Sequence, residues 1–167
     1  MPPGILWVSS RIQNPSILSP EKFCTWYENT HIQEVTALSG VPSAARYQAL
    51  SPSPVPTPTW SSEAPWLTIY EMPVLDFRES KEFKSLDGQS KPREELLEGI
   101  FKQARFDTRF YEQVQVYEPF GKIDGPAKFL ISAALQPKAG EEEDFEAWYQ
   151  DEHLKMLAEC QGYLRTR

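Results

Sequence analysis

His31 and His153 are the only histidines in this 167-residue chain, and each stands four residues after a tyrosine. Trp26-Tyr27 precedes the first and Trp148-Tyr149 the second. An imidazole that titrates near neutrality beside a phenol is a plausible proton-transfer pair, one group accepting while the other orients or donates. The two settings are copies of one another. Residues 21–40 lie on 143–162 without a gap at an offset of 122, with Glu, Phe, Trp, Tyr, His and Gly matching at 6 of 20 positions, the signature of a tandem duplication. A structural reading competes at both sites. Histidine on an apolar helix face often bonds a backbone carbonyl, Trp-Tyr packs well in a core, and a duplicated site can persist as scaffold once the other copy carries the function.

The elements that must hold these groups follow from pattern. Ser19-Pro20 opens a helix over residues 20–39, with serine as cap, proline in the first turn, and Gly40 where a left-handed residue would close it. Positions 23, 27, 31, 35 and 38 of that helix share a face, so His31 and Tyr27 point toward a sheet together with Phe23, Val35 and Leu38. Strands are expected at 5–9, 44–50, 66–70 and 108–118, with further helices at 76–86 and 92–104. Proline alternation over 51–58 reads as an exposed loop, and Trp60 beyond it as either a lid or a connector. The order strand, helix, strand, strand, helix, strand is ferredoxin-like, which makes 1–119 a first α+β unit. The second copy, 126–167, supplies a strand at 128–135, the repeated helix at 141–160 and the opening of a strand at 164–167. On this reading a C-terminal portion is lacking, or another chain completes the sheet, since an unfinished edge invites pairing.

Composition narrows the partners. A formal charge of −7 and a pI near 4.9 exclude the basic stripe that nucleic acid or an anionic membrane requires. Hydrophobic residues make up 40% of the chain and aromatics 13%, enough for a core and for a small apolar or aromatic ligand. Cys24 and Cys160 lack zinc or disulfide spacing and read as reduced thiols. With no membrane-length apolar run and no secretory pattern at the start, a cytoplasmic location is expected. No metal is expected, because two histidines 122 residues apart have no local ligand partners. The absence of a glycine-rich phosphate loop, a Gly-x-Ser-x-Gly elbow and a cysteine–histidine pairing removes nucleotide cofactors and acyl-enzyme chemistry.

The motif Phe-x-x-Trp-Tyr-x-x-x-His-Ile/Leu, at Phe23–Ile32 and again at Phe145–Leu154, followed by Gly40 and a strand carrying Arg46-Tyr47, resembles the EthD-like branch of the dimeric α+β barrel superfamily. The likeness covers 5–118 and 128–167 and is to its fungal tandem-repeat type. It implies two ferredoxin-like repeats forming a pseudo-dimer within one chain, the second incomplete, with a homodimer as the alternative route to a closed barrel. Carried over by position, the helix histidine is His31 with Tyr27 and Trp26 beside it, and the equivalents are His153, Tyr149 and Trp148. We assign the substrate side to Trp26, Arg46, Tyr47 and Trp66, Arg46 meeting a substrate carboxylate or else forming a surface ion pair. The activity so implied is cofactor-independent and proton-moving: a decarboxylase, cyclase or EthD-like oxidoreductase or monooxygenase acting on an aromatic or polyketide-like substrate. The alternative is a non-catalytic or stress-associated barrel that sequesters a hydrophobic ligand. Haem ligation by His31, as in distant barrel relatives, is a third reading that nothing local requires.

Overall fold

The computed structural model describes residues 2–50 and 64–167. The loop read at 51–58, and Trp60, lie outside them. The chain divides into two compact units, Met1–Glu112 and Gln113–Arg167, each of which is described by itself.

The first unit is mixed α+β. Strands β1 (Gly4–Ile12), β2 (Ser43–Gln48), β3 (Trp66–Met72) and β4 (Ala104–Glu112) form one antiparallel sheet in the spatial order β2-β3-β1-β4. The first helix runs Pro20–Trp26, Tyr27–His31 and Ile32–Thr36 without a break. It stops three residues short of the expected end. Ser80 divides the helix expected at 76–86 into a 3₁₀ turn, Leu75–Glu79, and a short helix, Lys81–Lys84. Its extended backbone interrupts the first piece while its hydroxyl accepts from the Phe83 N–H to cap the second. The next helix spans Glu94–Leu96 and Leu97–Phe101, and Ala104 already belongs to β4.

β4 begins four residues earlier than expected and ends at Glu112 rather than 118. Its partner explains both ends: Ile12 pairs with Ala104 and Gly4 with Glu112, and beyond Gly4 no β1 backbone remains to bond. Helix-facing side chains bury Leu6 and Val8 of β1 with Val35, Tyr70, Phe83 and Leu75 in one cluster, and Phe23, Tyr27, Leu18 and Ile100 in a second. Phe23 and Tyr27 have no exposed surface. Truncating a phenylalanine so placed to alanine costs about 3–5 kcal/mol, so these two side chains anchor the helix to the sheet.

Gly40 does not adopt the left-handed conformation expected of it; among the described residues that conformation occurs at Gly88, Gly121, Gly125, Gly140 and Gly162. Gly40 is required for space instead. A Cβ there would lie 2.2 Å from Cγ of Phe77, whose ring rests on the backbone. Its repeat equivalent, Gly162, meets the original expectation with φ +87°.

In the second unit the repeated helix runs Glu142–Trp148, Tyr149–His153 and Leu154–Ala158. Residues 128–135 form no strand, a correction with a direct cause: among the described residues no neighbouring strand offers them backbone partners. Phe129 and Ile131 are exposed as a result. The expected opening of a strand at 164–167 is reduced to a single antiparallel bridge, Tyr117 and Thr166 exchanging both backbone hydrogen bonds at 3.0 Å.

Candidate functional site

The first helix starts where its sequence directs. The Ser19 hydroxyl accepts from the Lys22 N–H at 3.2 Å, Pro20 opens the first turn, and Glu21 meets the positive end of the helix. At Tyr27–His31 it widens into a π turn, in which the Ile32 N–H donates to the Tyr27 carbonyl five residues back. Such turns bring side chains five apart over one another, and they concentrate at functional sites. The His31 imidazole accordingly stacks on the Trp26 indole, and Tyr27 meets His31 edge-on, with centroids 5.2 Å apart. The same π turn recurs at Tyr149–His153, where the Leu154 N–H donates to the Tyr149 carbonyl.

His31 lines a cavity of about 170 Å³ between this helix and the sheet. Its apolar wall includes Leu6, Val8, Val35, Phe83, Phe101 and Phe106. Tyr70, Asp87, Gln89 and Thr108 add polar groups. The segment carrying Asp87 turns at Gly88, which has φ +93°, and is fastened by Arg93, whose guanidinium bonds Asp87 Oδ2 at 2.8 Å and Glu34 Oε1 at 3.4 Å. Asp87 is thereby anchored to the helix that carries His31.

Burial draws the His31 pKa down to about 4; the Asp87 carboxylate opposes the shift and the Arg46 guanidinium reinforces it. The imidazole is therefore neutral at physiological pH. Its Nδ1 is buried with no hydrogen-bond partner, and Oε2 of Glu34 stands off at 3.9 Å. A histidine kept purely as scaffold would bond a carbonyl through that nitrogen, so the bare Nδ1 weighs against the purely structural reading. Burial also raises the phenol pKa of Tyr27 against smaller opposing contributions from Thr68, Tyr70 and Arg46, and raises that of Tyr70, with Tyr27 adding to the effect. Both remain neutral donors. The Tyr27, Thr68 and Tyr70 hydroxyls are close enough to influence each other's ionisation, yet none completes a hydrogen bond. Each buried group so left costs about 1–3 kcal/mol.

The residues singled out from sequence divide by strand face. Cross-strand partners share a face and successive residues alternate. Arg46 pairs with Thr68, and Thr68 with Val8, so Arg46 lies on the helix side. Its Cζ sits 4.2 Å from the Tyr27 ring centroid while Nε donates to Glu28 Oε1 at 3.1 Å. Only 11% of the Arg46 side chain is exposed, while its ion-pair partner Glu28 is 54% exposed. Tyr47 pairs with Leu67 on the opposite face, away from His31. Trp66 is on the helix side but packs on Phe23, with centroids 5.1 Å apart, in the second core cluster rather than at the cavity. Trp26 supports His31 from behind and reaches Phe101 edge-on at 5.8 Å. In the second copy Trp148 stacks on His153, but Trp148 is 39% exposed and Met156 61%.

Tyr70 and Asp87 were missed as site residues. Tyr70 reads from sequence only as a strand residue; its two-residue alternation with Thr68 was the one available signal. Asp87 arrives through a loop whose path no local pattern encodes.

No family model, no curated protein and no solved structure matches this chain. Among the described residues no three His, Cys, Asp or Glu side chains are grouped to hold a metal ion, and no helix is long and apolar enough to cross a membrane.

Proposed function

We propose that the chain is a cofactor-independent enzyme of EthD-like, ferredoxin-like architecture that moves a proton on a small aromatic substrate held against His31. The observation that carries this reading is a neutral imidazole that lines a cavity with a large apolar wall and has an unpartnered, buried Nδ1. Decarboxylation, aldol-type cyclisation and oxygenation of an electron-rich phenol all pass through a stabilised carbanion or enolate, and one base beside an apolar wall serves each of them. His31 accepts the proton, Tyr27 orients the imidazole through its ring edge, and Trp26 fixes the plane of the imidazole. The volume of about 170 Å³ suits one ring, since an engineered apolar cavity of about 150 Å³ takes benzene. The repeat of helix, π turn and aromatic stack supports a duplication of the helical segment at 141–160. A second copy of the chain closing the barrel, and a reducing cytoplasmic setting for the free Cys24 and Cys160, complete the proposal.

A carrier reading draws on the same cavity, because an imidazole with a pKa of about 4 is a weak base while the site is empty. His31→Gln separates the two readings. Screening monocyclic phenols and aromatic acids for turnover and for binding, an enzyme keeps binding and loses turnover in this variant. A carrier shows binding and no turnover in either form.

A further inference from the structure

Seven buried side-chain polar atoms lack a hydrogen-bond partner among the described residues, and six of them belong to the first helix, β2 and β3: Trp26 Nε1, Tyr27 OH, His31 Nδ1, Arg46 Nη1, Thr68 Oγ1 and Tyr70 OH. Only Arg78 Nε stands apart. Unsatisfied buried groups are rare in folded proteins, and this concentration reaches the cavity at His31 and Tyr70, which points to a missing partner there. Its chemistry follows from theirs. Arg46 Nη1 and Trp26 Nε1 can only donate, and the three hydroxyls can all donate. Glu28 already pairs with Arg46, but only through Nε, and Asp87 is held by Arg93, so neither carboxylate reaches the free donors. What the remaining donors lack is a second acceptor, and beside Arg46 and neutral hydroxyls an anion suits that place.

We propose that the Tyr70 edge of this cavity holds the oxyanion of a single-ring aromatic ligand, a carboxylate or a phenolate, with the Tyr70 hydroxyl donating to it and Arg46, behind the cavity wall, supplying positive charge across the Tyr27 ring. Tyr70 lines the cavity with 1% of its surface exposed, Thr68 is equally buried, and the Arg46 guanidinium lies on the Tyr27 ring. The apolar walls take the ring while the Tyr70 hydroxyl takes the charge, an arrangement in which a charge-assisted hydrogen bond is stronger than a neutral one. The inference rests on the proposed reading of this cavity as the substrate site, and it concerns binding alone.

Calorimetric titration of the full chain with benzoate, 4-nitrophenolate and toluene tests it at mildly alkaline pH, where the first two are anions. The expected result is that at least one anion binds roughly tenfold or more tightly than toluene. A preference for benzoate identifies the carboxylate, and one for 4-nitrophenolate the phenolate. Tyr70→Phe is expected to erase that preference while raising the thermal midpoint of the empty protein, since it deletes an unpartnered buried hydroxyl. Thr68→Val, nearly isosteric, is the second variant and is expected to weaken anion binding in the same direction. Equal affinity for toluene, no binding of any of the three, or an anion preference that survives in both variants overturns the inference. A protein that prefers the anion but turns over no substrate keeps this inference and loses the catalytic one.

Discussion

The His31 imidazole lies nearly flat on the Trp26 indole, with centroids 4.9 Å apart and planes 20° from parallel, five residues along the helix because the Tyr27–His31 turn is a π turn. His153 and Trp148 repeat the relationship at 4.5 Å and 25°. The indole shields one face of the imidazole from water, and burial is the main cause of its lowered pKa. Trp26→Leu should therefore admit solvent and move the His31 titration up from about 4 toward the usual 6.5, followed by NMR of the imidazole C–H resonances. An unmoved midpoint contradicts the assignment of burial as the cause.

The same shift sets a pH dependence of stability. The folded pKa of about 4 lies below the unfolded value of 6.5, so between these two values the unfolded chain binds more protons. The contribution of His31 is fully present above 6.5 and is lost as pH falls toward 4, at up to about 1.4 kcal/mol per pH unit. Urea unfolding across this range should show His31→Gln with a shallower acid limb than the wild type. Parallel curves contradict the prediction.

Gly40 and Phe77 should behave as a coupled pair. A methyl at Gly40 meets the Phe77 ring at 2.2 Å, and overpacking of that kind costs about 1–3 kcal/mol. Gly40→Ala should destabilise by that order, and pairing it with Phe77→Leu should cost less than the two single changes added together. Denaturant midpoints for the four proteins of the cycle provide the check, and strict additivity contradicts the crowding account.

These cases show what local pattern carries. Ser19-Pro20 marked the start of the helix because a cap acts over three residues, and period 3.6 placed Phe23, Tyr27 and Val35 on its buried side. Two-residue alternation already separates Arg46 from Tyr47, which cannot both face the substrate side. The π turn escaped, since one extra residue in a turn leaves no trace in composition. The reason for Gly40 escaped as well: it lies in a contact 37 positions away, which no window spans. Residues 128–135 carry a strand pattern without a partner, and pattern alone does not make a strand.

Turnover of a substrate found by the phenol and aromatic-acid screen separates a catalytic His31 from a structural His153, whose stacking partner Trp148 is 39% exposed. His31→Ala should lose about 10²–10⁴-fold in kcat/KM, the range of a general base, while His153→Ala stays within a few-fold of the wild type. Full activity in His31→Ala, or an equal loss in both variants, contradicts the account.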